Sequence, residues 1–240
     1  MQAERRQPWT DALLLALAFV IFATLISLGT WQIQRLGWKL DLIEAVESRA
    51  FGDPVAPPKG EVNADEHAYL RITVEGAYRH ELTRLVKAVT DLGPGRWVMT
   101  PLHVGDNDIW INRGFVPSGM APGDWTRPSG TVRVSGLLRI TEPDGTLLEK
   151  NRSDEERWYS RDVAALSEAA GLGDVAHYFI DADHKGEPCT WPRGGLTIVT
   201  FRNPHLAYAL TWYSMALLFL GGIAYIVKER LRAVSLDGSC

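Results

Sequence analysis

Two uncharged apolar stretches lie near the two ends of the chain, at residues 12–28 and 206–227. As a helix, each stretch is about long enough to cross the hydrocarbon core of a bilayer. The segment between them is long enough to bury a hydrophobic core of its own. A cleaved signal peptide is the alternative for the first stretch, but no A-x-A site follows it and the second stretch would hold the chain in the membrane anyway. The sequence therefore predicts a membrane-anchored α+β protein.

Charged residues beside the apolar stretches predict the orientation. Basic residues lie outside both stretches, towards the chain ends: Arg5, Arg6, Lys228, Arg230 and Arg232. The positive-inside rule therefore places the domain in the periplasm of a bacterium with an inner membrane, although Arg35 and Lys39 on the domain side oppose this orientation. A mitochondrial inner membrane is the alternative, but the N-terminus has no obvious presequence. The predicted organisation is cytoplasmic tail 1–11, transmembrane helix 12–31, β-rich domain 32–204, transmembrane helix 205–227 and cytoplasmic tail 228–240.

Strand patterns dominate the predicted domain. A helix at about 32–51 continues out of the first span, a loop follows at 52–65, and a short helix is expected at about 162–170. Gly76 and Gly136 interrupt strand patterns, which predicts bends that curl the sheet. We therefore expect two transmembrane helices flanking a β-rich, antiparallel, barrel-like extracytoplasmic domain. Seven segments have strand character: 69–79, 82–90, 96–104, 108–116, 131–141, 176–182 and 196–201.

Charge and motif content exclude several classes of function. The net charge is −4, and removing the basic tails leaves the domain more acidic still, so no basic surface is expected for nucleic acid. Cys189 and Cys240 are predicted on opposite sides of the membrane, where they cannot form a disulfide. The histidines lack the spacing of zinc sites, and the chain has no nucleophile elbow, phosphate loop or dinucleotide loop. We therefore expect no enzyme activity.

The start of the second span carries the residues of most chemical interest. Asn203 suits a helix N-cap and Pro204 the first helical position, which places His205 in the first turn. Tyr208 and Trp212 follow at i+3 and i+7, so one helix face carries an imidazole and two aromatic rings. An imidazole of this kind can bind haem iron.

Neighbouring aromatic and cationic side chains would add a face for a flat ring and partners for its propionates. These weaker pocket candidates are Tyr208, Trp212, Trp31, Arg35 and Arg202. Aromatic belts and arginines also occur at membrane interfaces in proteins of every function, where they contact lipid. The residues alone leave both interpretations open.

Three segments stand out in chain order: LGTWQIQRLGWK at 28–39, WINRGFVP at 110–117 and FRNPHLAYALTWY at 201–213. Together they resemble segments of the Surfeit locus protein 1 family of cytochrome c oxidase assembly factors, and the resemblance covers nearly the whole chain. Asn151 with WYSRD at 158–162 is a weaker match. The family's architecture, two spans around a β-rich outer domain, agrees with the one predicted above.

The resemblance implies a non-enzymatic factor that helps to build the oxidase. It implies that haem a is received from haem a synthase and placed in cytochrome c oxidase subunit I. The family's proposed haem ligand falls on His205, although Pro204 stands where the family more often has Asn. Gly76 falls on a family glycine. Other matched motif positions are Trp31, Gln32, Arg35, Asn112, Arg113, Gly114, Tyr208 and Trp212.

Two mechanisms remain open at this point. In the first, a haem chaperone, neutral His205 binds the iron while the domain shields the porphyrin from water until subunit I accepts it. In the second, a scaffold, the same surface holds haem a synthase or the oxidase subunit without binding haem. The expected partners in either case are subunit I, the synthase and the lipid bilayer.

Overall fold

The structure is a computed structural model that describes residues 8–143, 149–187, 189–197, 199 and 201–237. The chain divides into two compact units, residues 1–44 with 201–240 and residues 45–200. Cys189 is an exposed free cysteine. Cys240 and the tail arginines Arg5 and Arg6, on which two predictions rest, lie outside the described residues.

The first unit contains two long apolar helices, α1 (Pro8–Phe51) and α4 (His205–Asp237), of which α1 runs on into the second unit. Their most apolar windows have mean hydropathies of 2.6 and 1.7, and only 6% of each window is buried within the protein. A core helix of a soluble protein would be mostly buried, whereas these apolar side chains face outwards, as lipid contact requires. Both helices therefore have the length and composition of membrane spans, at the two predicted places.

The second unit is built on one six-stranded sheet. Short helical segments connect or cover the strands: α2 (Ala64–His67), α3 (Val163–Ala170) and 3₁₀ turns at His80–Leu82 and Ser153–Glu155. The strands are β1 (Arg71–Tyr78), β2 (Arg84–Thr90), β3 (Gly93–Val104), β4 (Asn107–Pro117), β5 (Thr131–Ile140) and β6 (Val175–Ala182).

The sheet closes on itself, so the barrel-like prediction is confirmed. Its strand order is β1-β5-β6-β4-β3-β2, and the end of β1 also pairs with β3. In that closing contact Ala77 lies opposite His103 and Tyr78 opposite Leu102. Strands β1, β5, β6, β4 and β3 thus form a ring, and β2 pairs with β3 outside it.

One strand pair departs from the predicted antiparallel arrangement. β4 and β6 are parallel, with Trp110 opposite Phe179 and Asn112 opposite Asp181. The other four pairs of the ring are antiparallel. Strand directions cannot alternate around a ring with an odd number of members, so a five-stranded barrel needs at least one parallel pair. Alternation along a single strand carries no information about this closure.

Gly76 and Gly136 lie where strands change partners. A Cβ atom at Gly76 would lie 2.3 Å from the His103 carbonyl oxygen, and one at Gly136 would lie 2.2 Å from the Asp181 carbonyl oxygen. Gly136 pairs with both β1 and β6. Only glycine allows the backbones to approach this closely, and the two residues thereby permit the curvature that closes the barrel.

Both faces of the barrel sheet are packed, as the alternation along β4 and β6 requires. Ile109, Ile111 and Ile180 contribute to one buried cluster, while Trp110 and Phe179 point to the opposite cluster. That second cluster is covered by residues of α3 and by Trp158: Val163 and Leu166 are buried against it. α3 begins after Asp162, whose carboxylate accepts from the Ala164 and Ala165 amides, and ends at Gly171 in the left-handed conformation.

The seventh predicted strand, residues 196–201, is not a strand at any of its described positions. Its apolar alternation suggested a strand, but Thr197 instead donates its hydroxyl to the Asp181 carboxylate over 2.7 Å. Just before it, the Gly195 amide bonds to the Ala182 carbonyl. Single hydrogen bonds therefore attach the segment to the end of β6, and its described residues do not pair with a strand.

Candidate functional site

His205 is the first residue of α4 and is hydrogen-bonded to a side chain of α1. Its Nδ1 atom lies 2.7 Å from Oε1 of Gln32. Gln32 is only 9% exposed, although it lies on a helix whose neighbouring residues Trp31 and Ile33 are exposed. A buried amide group needs a hydrogen-bond partner, because leaving a polar group unpaired away from water costs free energy. The imidazole of His205 supplies that partner.

The hydrogen bond determines which ring nitrogen of His205 carries the proton. An amide oxygen can only accept, so Nδ1 must donate. In the neutral imidazole, the Nε2 atom is then unprotonated and presents a lone pair. Among the described residues, Nε2 has no hydrogen-bond partner, and the ring is half-buried. This arrangement leaves one nitrogen able to bind a metal and holds the other in place.

Next to this pair, α1 and α4 approach each other closely at Gly29. A Cβ atom at Gly29 would lie 2.7 Å from Cε1 of Tyr213, so a larger residue would collide with that ring. The hydroxyls of Thr30 and Tyr213 lie 3.1 Å apart and share a hydrogen bond. Small residues that allow close approach and polar pairs across the helices are typical of membrane helix packing. These contacts fix the position of the two helices where Gln32 meets His205.

The weaker pocket candidates are not hydrogen-bonded to His205. Tyr208 is 54% exposed and Trp31 is 51% exposed, whereas Trp212 is half-buried. Arg35 places its guanidinium 4.4 Å from the Trp38 ring centroid, on its own helix. Arg202 is exposed. Most of these aromatic and cationic side chains are therefore exposed on the outer surface of the helices. A lipid, a flat ring or another helix can contact them there.

The predicted capping of α4 differs in detail. The helix begins at His205, and the first intrahelical bond runs from the Tyr208 amide to the Pro204 carbonyl, 3.2 Å away. Pro204 is thus the N-cap residue, one position later than expected. Oδ1 of Asn203 is buried and has no partner among the described residues. Proline has no N–H to leave unsatisfied at a helix start, which allows it to take this position.

The WINRGFVP segment forms β4, and Asn112 is part of a buried polar cluster around Asp181. The Asp181 carboxylate accepts from Asn112 Nδ2 at 2.7 Å, Arg139 Nη1 at 3.2 Å and Arg161 Nη1 at 3.1 Å. Thr197 fills a further acceptor position at 2.7 Å. Every carboxylate oxygen therefore has protein partners, and the cluster is structural.

Arg161 balances much of the negative charge of this cluster. Burial opposes its charged form, but Asp181 and the hydrogen-bonded Glu142 together raise the pKa of Arg161 above its ordinary value. Its guanidinium also lies 4.8 Å from the Phe179 ring centroid. The WYSRD segment thus contributes an arginine that ties the loop before α3 to β6.

The weaker sequence match at Asn151 also has a structural explanation. Oδ1 of Asn151 accepts from the amides of Tyr159, at 2.8 Å, and Ser160, at 3.1 Å. Its Nδ2 donates to Ser160 Oγ at 2.9 Å. Asn151 therefore holds the turn before α3, whose N-cap is Asp162, and Trp158 packs in the core beneath it.

Arg113, the next residue of the WINRGFVP segment, points to a different place. It is 8% exposed, donates from Nη2 to the Thr126 carbonyl, and lies 5.0 Å from the Tyr78 ring centroid. Burial raises the pKa of Tyr78 to about 12, which the nearby Arg113 partly offsets. Nη1 of Arg113 is buried without a partner among the described residues. Arg113 also lines a cleft of the β-barrel unit. The sequence motif did not indicate this cleft, because its walls come from distant segments.

Neither Gln32, which bonds to His205, nor Tyr213, which packs at Gly29, was predicted as a site residue. Gln32 was noted only as a motif match, and Tyr213 was not singled out. A usable signal was present: a polar amide and a glycine within four positions on one apolar helix predict contact with another helix. That signal does not identify which residue of the second helix is contacted.

Comparison with known proteins places the chain in a family. The model of the SURF1 family matches residues 19–217. Surfeit locus protein 1 of Mus musculus is 32% identical over 225 residues, covering 85% of this chain and 72% of the mouse protein. The Homo sapiens protein of the same name is 32% identical over 228 residues, covering 86% and 75%. A SURF1-like protein of Monosiga brevicollis is 33% identical over 219 residues, covering 84% and 83%. The resemblance found in three segments is thus confirmed: the chain belongs to the SURF1 family.

Proposed function

We propose that this protein is an assembly factor for cytochrome c oxidase, which binds haem a through His205 and assists its insertion into the catalytic subunit. Membership of the SURF1 family supports the general role. Haem a is cargo in this account: it is received, held and passed on. The protein's own residues bind and orient the haem, and the proposal includes no catalytic step.

The hydrogen bond between Gln32 and His205 carries the haem part of the proposal. Its 2.7 Å length and the amide acceptor fix the Nδ1–H tautomer, so Nε2 is the nitrogen available to iron. Haem proteins commonly hold iron through an imidazole nitrogen whose opposite N–H is hydrogen-bonded, which orients the ring and tunes its basicity. The geometry around His205 fits that requirement with residues of the chain alone.

A porphyrin suits this site better than a bare metal ion does. Among the described residues, no group of three or more His, Cys, Asp or Glu side chains is arranged to hold a metal. A single imidazole cannot complete the coordination of a free ion, whereas haem brings four ring nitrogens and needs only axial ligands. The proposed ligand set is therefore His205 with the porphyrin's own nitrogens.

The exposed aromatic and cationic residues have roles that follow from their chemistry. Tyr208, Trp31 and Trp212 provide aromatic faces for a flat apolar ring. Arg35 and Arg202 provide guanidinium groups for propionates. The exposure of Tyr208 and Trp31 also favours a second candidate function, in which these side chains contact a helix of haem a synthase or of subunit I and the protein acts as a scaffold without haem.

Co-expression with haem a synthase separates these two functions. We expect the purified full-length protein to carry haem a, and His205→Ala to lose it. His184→Ala is the matched control, because His184 lies in the other unit and bonds only to the Glu187 carbonyl among the described residues. If neither wild type nor the control carries haem while both co-purify with subunit I, the scaffold function replaces the haem chaperone.

We place the protein in a bacterial inner membrane with its domain in the periplasm; the mitochondrial inner membrane is the alternative. Exposed Cys189 gives a direct test. In a Cys240→Ser variant, a membrane-impermeant maleimide should label Cys189 in cells whose outer membrane has been made permeable, without lysis. Labelling that appears only after lysis would reverse the orientation.

A further inference from the structure

A cleft in the β-barrel unit contains a buried arginine that has spare hydrogen-bonding capacity. The cleft has a volume of about 680 Å³, within the usual range for small-molecule sites. Arg113 lines it, is 8% exposed, and has no hydrogen-bond partner for Nη1 among the described residues. Leaving a buried charged donor unpaired is costly, so a ligand oxygen at this point would be strongly favoured. We call this feature the arginine cleft and define it by Tyr78, Arg113, Arg127, Val134 and Lys185.

The rest of the Arg113 side chain is held in place. Nη2 donates to the Thr126 carbonyl, and the guanidinium packs against Tyr78. Thr126 is itself fixed, because both its amide and its hydroxyl donate to the Trp191 carbonyl, at 2.9 and 3.2 Å. The unpartnered Nη1 is therefore positioned before any ligand arrives, which lowers the entropic cost of binding.

The charges around the arginine cleft leave an excess of cations. Asp183 is neutralised by Arg71, with 2.7 Å between the charged atoms, and Arg133 is paired with Glu75 at 2.6 Å. Arg113, Arg127 and Lys185 have no ion pair among the described residues. Arg127 is close enough to help lower the pKa of Arg113, although burial is the larger cause. An anion in the cleft would relieve the repulsion between these two arginines.

The walls of the arginine cleft are apolar in part, which restricts the kind of anion. Val132, Val134 and Ala182 line it, as do Pro128 and Pro192. A fully hydrated inorganic oxyanion gains nothing from these side chains, whereas a carboxylate attached to an apolar body satisfies both the guanidinium and the walls. We propose that the arginine cleft binds a carboxylate carried on an apolar group, with Arg113 and Arg127 as the recognising residues. This site is independent of haem binding at His205.

Isothermal titration of the full-length protein in detergent tests the proposal, with matched micelle blanks. The small-molecule probes are 4-phenylbutyrate and its neutral amide, 4-phenylbutanamide. N-acetyl-Ala-Ala-Leu, with a free or an amidated C-terminus, tests whether a peptide chain end is the better source of the carboxylate. We expect at least one carboxylate to bind about tenfold more tightly than its amide, as a charge-assisted hydrogen bond requires. Inorganic phosphate should bind more weakly than that carboxylate.

Variants locate the binding. Arg127→Met removes an exposed charge without disturbing the core, and should weaken carboxylate binding about tenfold. Arg113→Met should weaken it further. Arg157→Met, an exposed arginine outside the cleft, should leave it unchanged. The proposal is overturned if no carboxylate binds, if amide or phosphate binds as tightly as carboxylate, or if Arg127→Met has no effect.

Discussion

Asn112 Nδ2 lies 2.7 Å from Asp181 Oδ1, and this hydrogen bond joins β4 to β6 across the parallel pair of the barrel. Asp181 is 7% exposed and also carries the charge that holds Arg139 and Arg161. A polar cluster centred on buried Asp181 therefore stabilises the parallel strand pair of the ring. The β4–β6 pair, whose parallel direction the sequence alternation does not predict, is thus the pair that this side-chain hydrogen bond links.

Asp181→Asn should destabilise the barrel by about 1.5–3 kcal/mol, because the half-buried guanidinium groups of Arg139 and Arg161 lose their shared carboxylate and keep only Glu142 as a charged partner. Chemical denaturation followed by tryptophan fluorescence measures this loss. Glu75→Gln is the matched control: Glu75 pairs with Arg133 at the surface, so its loss should cost about 1 kcal/mol or less. Equal effects of the two substitutions would contradict a structural role for the cluster.

Gly136→Ala should destabilise the barrel by about 3 kcal/mol or more, because the new methyl group would lie 2.2 Å from the Asp181 carbonyl oxygen. The clash would be with backbone, which cannot move aside without breaking the β5–β6 pairing. Gly173→Ala serves as the control, since no atom lies within 4 Å of a Cβ at that position. A stable, soluble Gly136→Ala variant would show that barrel closure does not depend on this close approach.

The stability of the barrel unit should fall at high pH. Burial raises the folded-state pKa of Tyr78 to about 12, so its contribution to stability is complete below the unfolded-state pKa of about 10 and is lost as the pH rises through 12. Tyr178, also raised by burial to about 12, should act in the same direction. Denaturation midpoints between pH 9 and about 12 should therefore fall less steeply in Tyr78→Phe than in wild type. Identical slopes would exclude this linkage.

Gln32→Leu should weaken haem binding about 10- to 100-fold, because Nδ1 of His205 loses the acceptor that orients the ring. Haem retained after purification from cells co-expressing haem a synthase measures the effect. Gln34→Leu is the matched control, since Gln34 is an exposed amide two positions further along the same helix. If both variants retain haem as wild type does, Gln32 does not position the ligand.

Sequence patterns predicted the features that depend on local chemistry. Uncharged length indicated two membrane helices, alternation indicated the strands of a barrel, and Gly76 and Gly136 indicated its bends. Residues 196–201 were wrongly predicted as a strand. Their apolar residues alternate as in a strand, but the described residues of this segment do not pair with any neighbouring strand. A local sequence pattern shows that a segment can form a strand, but the strand forms only if a neighbouring strand is available to pair with it.

Contacts between distant segments account for what the sequence could not predict. Gln32 and His205 form a hydrogen bond although they are 173 positions apart in the chain. Arg113 lines a cleft whose walls come from several strands and loops. In the sequence, each of these polar residues has apolar residues close by, which indicates that it could be buried. Their partners depend on helix packing and strand order, which no single segment encodes.

Imidazole rescue of a His205→Gly variant, followed by visible absorption, tests whether His205 binds the haem iron. The variant is isolated without haem, supplied with haem, and measured with and without added imidazole. Added imidazole should restore the wild-type spectrum, because it supplies the missing nitrogen ligand at the same place. A His205→Gly protein that shows the wild-type haem spectrum without imidazole would contradict the assignment of His205 as the ligand.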